Sequence, residues 1–296
     1  IRRPKNTIFI IPADAKNVKE NGGYRPLLQL VKFIIFWTYR ERYMPYFEKI
    51  ARAGMTEAHY SYHDRSRPEP GGMRKRQKRQ KPTPEAQRKN NIRRASQRLT
   101  LDLNENFGPD CWYISWNYAV ENRPKDKTEL ISQVTKVLRK LRNIYHQNEK
   151  ELKYVWVPEV GPRGGSHIHI VVSPIDIRKI KDIWPYGGLH FEPLRKDRNY
   201  RRLAEYFMEY SELTRRTYGG KQAGRYNPSK NLVHVEMKKH RKRKKTFSAG
   251  EITIPDGWYL DKGSVQEWIN EFGFKYLYYL LVKLPGDERR PARCRT

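Results

Sequence analysis

Strand, helix, hairpin, helix, strand is the order predicted between residues 112 and 232, and it defines an α+β fold, a central antiparallel sheet with helices packed on one face. Three observations carry it. Trp112-Tyr-Ile-Ser-Trp-Asn-Tyr118 is aromatic and strand-prone. Thr128 to Glu149 repeats apolar residues at helical spacing through Leu130, Ile131, Val134, Val137, Leu138, Leu141 and Ile144. Tyr154-Val-Trp-Val-Pro-Glu159-Val and His167-Ile-His169-Ile-Val-Val flank Pro162-Arg-Gly-Gly-Ser, the signature of a hairpin.

In chain order, residues 1–69 read as an N-terminal extension. Its most apolar stretch, Leu27 to Trp37, is interrupted by Lys32 and too short to span a bilayer, so a short helix and no membrane partner are expected. Met44 to Arg65, with Gly54, Tyr60 and Tyr62, suggests short strands. Pro68-Glu-Pro-Gly-Gly is a linker by its turn chemistry. Thr83, followed by Pro84 at the first helical position, signals the start of a helix that runs to about Asn104 and ends before Gly108-Pro109. Leu203 to Tyr210 is helical by composition, and Asn227-Pro-Ser-Lys-Asn-Leu232 is a loop entering another strand. Residues 70–236 thus form the expected catalytic domain, and 237–296 a basic segment with a C-terminal extension. Within that extension Trp258 to Val282 reads as aromatic-rich and partly helical, packing on the domain or associating with a second copy.

The charge is the strongest compositional signal. Against 32 Asp and Glu stand 61 Lys and Arg, a formal net charge of +29 over 296 residues. A field of this sign and size points to a polyanionic partner. The cations cluster in Arg74-Lys-Arg-Gln-Lys-Arg-Gln-Lys81 and Lys238-Lys-His-Arg-Lys-Arg-Lys-Lys245, which flank the hairpin. Arg74, Lys75 and Arg76, with Arg88, Arg93 and Arg94 on the helix after Pro84, are candidate phosphate contacts, as are Lys230 and Arg225. The 20 Tyr, 7 Trp and 10 Phe make base stacking chemically available. Cys111 and Cys294 have no paired spacing and no cleavable signal sequence is visible, so a structural zinc site is excluded and a reducing compartment expected.

In a strand, His167 and His169 point to one face and Ile168 to the other. The run Ile168, Ile170, Val171, Val172 argues for a buried central strand, where unpaired imidazoles would carry a desolvation cost. Antiparallel pairing would fold Glu159 back toward them, giving two nitrogens and one oxygen, a donor set suited to Mg²⁺ or Mn²⁺. Tyr206 and Tyr210 are one helical turn apart, so both phenols can face a single site. A phenolate is a competent nucleophile toward phosphorus once a cation polarises the phosphate. His190, following Gly187-Gly188, reads as a solvated loop residue.

At these residues the chain resembles the His-hydrophobic-His (HUH) endonucleases, more narrowly the rolling-circle replication initiators of plasmids and single-stranded phages. The resemblance spans about residues 70 to 235. It rests on Lys81-Pro-Thr-Pro-Glu-Ala-Gln, Asn106-Phe-Gly, Trp112 to Tyr118, the hairpin, Trp184-Pro-Tyr-Gly187, Leu203-Ala-Glu-Tyr206 and Asn227 to Leu232, in that family's order. It implies a ferredoxin- or RRM-like nuclease fold. His167, His169 and Glu159 would be metal ligands, Tyr206 the nicking nucleophile and Tyr210 the second tyrosine of members that alternate two. The implied partners are single-stranded and hairpin DNA at a replication origin and a host helicase, in the cytoplasm of a bacterial host. A transposase or mobilisation relaxase would use the same chemistry, and a non-catalytic nucleic-acid-binding protein would need only the basic runs. One departure is Glu209, where the family carries a lysine, and Ile114-Ser-Trp-Asn replaces a Thr-rich pattern.

Overall fold

The computed structural model describes residues 46–63, 84–160, 165–218, 226–242, 246–269 and 275–284. Arg74, Lys75 and Arg76, the Thr83 cap, the 68–72 linker, the turn at 161–164, Arg225 and Cys294 lie outside the described residues.

The first sheet is built from β3 (Trp112–Tyr118), β4 (Tyr154–Val160), β5 (Ser166–Val172), β6 (Gly187–Pro193) and the short β7 (Asn227–Pro228), in the order β6-β3-β5-β4-β7, every pair antiparallel. Around it stand α1 (Pro84–Asn106), α2 (Lys127–Gln147) and α3 (Arg201–Tyr218). The expected α+β class and its antiparallel pairing hold. Asp126 starts α2 by accepting from the Glu129 backbone N–H at 2.8 Å, a cap worth ~1 kcal/mol. The β5 run is buried as its sequence requires, with Ile168, Ile170, Val171 and Val172 all at 0 % exposure.

Strand alternation divides this burial between two layers. Ile114, Trp116, Ile168, Ile170 and Trp156 pack against Val134, Leu138 and Leu141 of α2. The opposite parity, Val155, Val157 and Val171, packs against Leu99 and Leu103 of α1 and Ala204, Phe207 and Met208 of α3. So the expected packing of helices on one face describes α1 and α3, and α2 covers the other. His167, His169 and Glu159 share the parity that faces α1 and α3.

A second sheet joins β1 (Tyr46–Ala53) and β2 (Thr56–His63) to β8 (Lys238–Arg241), β9 (Trp258–Leu260), β10 (Gln266–Ile269) and β11 (Lys275–Lys283). Its order is β10-β11-β2-β1-β8, with β9 also paired to β11. The short strands expected between Met44 and Arg65 are β1 and β2. Leu101 of α1 packs against Ala51, Ala58 and Leu280, so one helix serves both sheets. Buried Asn104 ties these parts together: its amide donates to Thr56 Oγ1 at 2.8 Å and its carbonyl oxygen accepts from the Tyr200 N–H at 2.9 Å. At the β1–β2 turn Gly54 has φ +53°, and a Cβ there would come within 2.1 Å of the Asn104 carbonyl oxygen, so both conformation and space call for glycine.

Two expectations are corrected. His190 is in a strand and not a loop: β6 pairs with β3, setting His190 opposite Ser115. The segment from Trp258 to Val282 is strand, with a single short 3-10 turn at Lys262–Ser264. Among the described residues no helix is long and apolar enough to cross a membrane.

Candidate active site

Central strands β3, β4 and β5 bring the polar residues of one face together. In the register Glu159 lies opposite His167, and Val157 opposite His169. The Glu159 carboxylate reaches diagonally to His169, where Oε2 meets Nε2 in a short contact. Nδ1 of His169 is 2.7 Å from the Tyr113 hydroxyl and 3.1 Å from Ser115 Oγ. Nδ1 of His167 is 2.8 Å from Asn117 Oδ1, which accepts the imidazole proton. Both rings are therefore held by Nδ1 from β3, the orientation by which outer-shell partners present Nε2 as a donor.

Helix α3 lies across this face because Ala204, Phe207 and Met208 are buried against the sheet. That anchoring aims Tyr206 at the histidines. Its hydroxyl is 3.3 Å from Glu159 Oε2 and 3.4 Å from His169 Nε2, and its ring meets the imidazole edge-on with centroids 5.3 Å apart. Tyr210 stacks one turn further on, 4.4 Å from the Tyr206 ring and 6.5 Å from that of His169. Burial raises the Tyr206 phenol well above its ordinary pKa, aided by Tyr113 and the Glu159 charge. Burial lowers His169, which opposes the Glu159 carboxylate beside it. A protonated phenol, a neutral imidazole and a carboxylate thus share one small volume.

Among the described residues no three His, Cys, Asp or Glu side chains form a ready metal cage. The donor chemistry nonetheless fits a hard divalent cation. Two imidazoles offer Nε2, Glu159 offers negative charge, and Gly165 keeps space in front of His167, since a Cβ there would come within 3.5 Å of Nε2. A phosphate would also be repelled by Glu159 unless a cation stood between them.

The basic residues divide. Arg93 lines a cavity of about 730 Å³ together with Lys89, Arg201, Glu209 and Tyr210, so it lies beside the tyrosine helix. Exposed Arg94 and half-buried Arg88 project from α1, and Lys230 is exposed in the loop after β7. Glu209 is exposed and lines that cavity, turned away from His169. His190 is also exposed and bonds Glu192 at 3.0 Å. Sequence reasoning missed Tyr113, Ser115 and Asn117, although their alternation in an otherwise aromatic strand was a readable signal. It also missed Arg123, whose Nη2 would be 3.9 Å from a Cβ at Gly165, the glycine in front of His167.

The fold and this site define a class: an antiparallel sheet that presents a His-rich strand to a tyrosine-bearing helix. Over residues 111–214 the chain is similar to the family of replication-associated protein ORF2. This span runs from the start of β3 into α3 and holds Glu159, His167, His169, Tyr206 and Tyr210. No curated protein and no solved structure gives a significant match.

Proposed function

We propose that the protein initiates replication by nicking and rejoining single-stranded DNA through a 5′-phosphotyrosine. The observation that carries the reading is the Tyr206 hydroxyl, 3.3 Å from Glu159 and 3.4 Å from His169, in a span similar to a replication-associated family. In the forward step the Tyr206 oxygen bonds to phosphorus and the bond from phosphorus to the 3′-oxygen breaks. The phenolic proton leaves toward the Glu159–His169 pair, and the departing 3′-oxygen takes up a proton to become a free hydroxyl. Reversal rejoins the strand without an external energy source.

Glu159, His167 and His169 would hold Mg²⁺ or Mn²⁺. Such a cation would supply charge stabilisation on the scissile phosphate. Asn117, Ser115 and Tyr113 orient the two imidazoles, and Phe207 and Met208 fix α3 at the distance attack requires. Tyr210, stacked on Tyr206, would serve as the second nucleophile of a two-step transfer. Origin hairpin DNA is the expected substrate form, and a host helicase the expected partner.

The test is direct. Labelled single-stranded DNA and Mn²⁺ should yield a denaturation-resistant adduct with the wild-type protein and none with Tyr206→Phe. An adduct that survives this substitution assigns the nucleophile elsewhere. Failure of the wild type to form one with either metal leaves a non-catalytic nucleic-acid-binding protein.

A further inference from the structure

The second sheet separates its charges by face. Strand alternation and register put Phe47, Lys49, Tyr60 and Tyr62 on one face with Tyr276 and Trp268. Lys239 and Arg241 of β8 lie on the same face. Among the described strand residues this face carries no carboxylate. Glu48, Glu57 and Glu267 all point the other way, engaged with Lys242, His59 and Lys275.

The rings form a continuous row. Centroids are 6.1 Å apart for Phe47 and Tyr62, 5.6 Å for Tyr62 and Tyr60, 6.1 Å for Tyr60 and Tyr276, and 5.2 Å for Tyr276 and Trp268. All five are half-buried. Cations stand at both ends: Lys239 Nζ is 3.9 Å from the Phe47 centroid, Lys49 Nζ 5.7 Å from that of Tyr62, and the Arg93 guanidinium carbon 3.8 Å from that of Trp268. Further along the same face Ala51, Ala58 and Leu280 meet Leu101 in a fully packed core. So one surface passes from small apolar contacts under α1 to large rings interleaved with lysine and arginine.

Only one common ligand chemistry uses both features. Unpaired bases stack on aromatic faces while their phosphates pair with cations. A duplex hides its base faces, an acidic peptide leaves the rings unused, and an apolar segment would bury the lysine charges. We propose that this face binds single-stranded nucleic acid, stacking bases on Tyr60, Tyr62 and Tyr276 and setting phosphates against Lys49, Lys239 and Arg93. The cavity lined by Tyr210 and Arg93 also contains Gln266, two residues before Trp268, so it links the tyrosine helix to one end of the row. The inference does not depend on catalysis at Tyr206.

The experiment uses the full chain in EDTA with a fluorescent oligothymidylate that has no hairpin, read by anisotropy. Tyr62→Ala and Tyr276→Ala should each weaken binding by roughly 5- to 100-fold, with inorganic polyphosphate binding little changed. Tyr62→Phe and Tyr276→Phe should bind like wild type, and Lys49→Gln with Lys239→Gln should flatten the salt dependence. Alanine variants that melt and bind as wild type overturn the proposal. Should they fail to fold, photocrosslinking of the wild type to a 4-thiothymidine oligonucleotide decides: adducts in β2 and β11 support it, and adducts confined to β3, β5 and α3 overturn it. With metal chelated and no nicking reaction scored, neither result bears on the phosphotyrosine reading.

Discussion

Oε2 of Glu159 is shared between two neighbours: it makes the short contact with His169 and faces the Tyr206 hydroxyl at 3.3 Å. Glu159→Gln keeps the volume and removes the charge. Mn²⁺ affinity, read by electron paramagnetic resonance titration, and adduct formation should both fall by more than about 100-fold, with little change in melting temperature. Undiminished Mn²⁺ binding would remove Glu159 from the ligand set.

Asn117 touches His167 and not Tyr206, so its effect should be indirect. Asn117→Ala frees the imidazole to rotate and to change tautomer, which should lower metal affinity or adduct yield by about 10- to 100-fold. Asn117→Asp, which keeps an acceptor for Nδ1, should recover most of the loss. Equal defects in both variants would mean that the contact at 2.8 Å does not orient the ring.

Far from this site, buried His59 lies between Glu48 at 2.9 Å and Glu57 at 2.8 Å, and Lys242 also pairs with Glu48. Burial pushes the Glu48 carboxyl up, but hydrogen bonds from His59 and Lys242 prevail and bring it down from 4.5 to about 2. A folded pKa below the unfolded value means stability that is present above pH 4.5 and lost as pH falls through about 2, on the order of 3 kcal/mol. His59 is raised, against the cost of burial, so its share is present below 6.5 and lost as pH rises through its folded value. Both shifts describe one interaction. Urea melts should therefore show stability falling on the acid side in the wild type and a flatter acid limb in Glu48→Gln; identical limbs would refute the assignment.

The legible parts of this chain were those with a clean period. Trp112–Tyr118 and Lys127–Gln147 fall within two residues of their expected bounds because alternation and helical spacing are unambiguous there. The approach of Glu159 to His169, and of Tyr206 to both, follows from hairpin parity and helix position. β6 was hidden because Gly187-Gly188 reads as a turn, whereas the strand is an exposed edge with little apolar patterning to declare it. β11 was hidden for the opposite reason: from Leu277 to Val282 every residue is buried, and a strand covered on both faces has no period. The pairing of β1 and β2 with strands nearly 200 residues away leaves no local trace at all.

One such long-range tie governs how α3 is held. Arg201 opens that helix, with Nε 2.7 Å from Asp261 Oδ2, Nη2 3.2 Å from Oδ1, and Nη1 2.7 Å from Glu205 Oε1. Asp261 follows β9 and also accepts from Asn199 at 2.8 Å and Gly263 at 3.1 Å, so it anchors the start of the tyrosine helix to the second sheet. The Arg201 and Asp261 side chains are 11 % and 13 % exposed, and removing one partner strands a largely desolvated charge. Asp261→Ala should cost about 3 kcal/mol, the lower end for such a pair because Glu205 still engages the guanidinium. Arg201→Met combined with Asp261→Leu should recover much of that loss, since it removes both charges. Adduct formation well below the melting temperature separates tether from scaffold. If Asp261 positions Tyr206 through α3, the rate should drop several-fold in Asp261→Ala while the protein is still folded, and stay low in the double variant despite its regained stability. A double variant that regains full rate would reduce the ion pair to a purely stabilising contact.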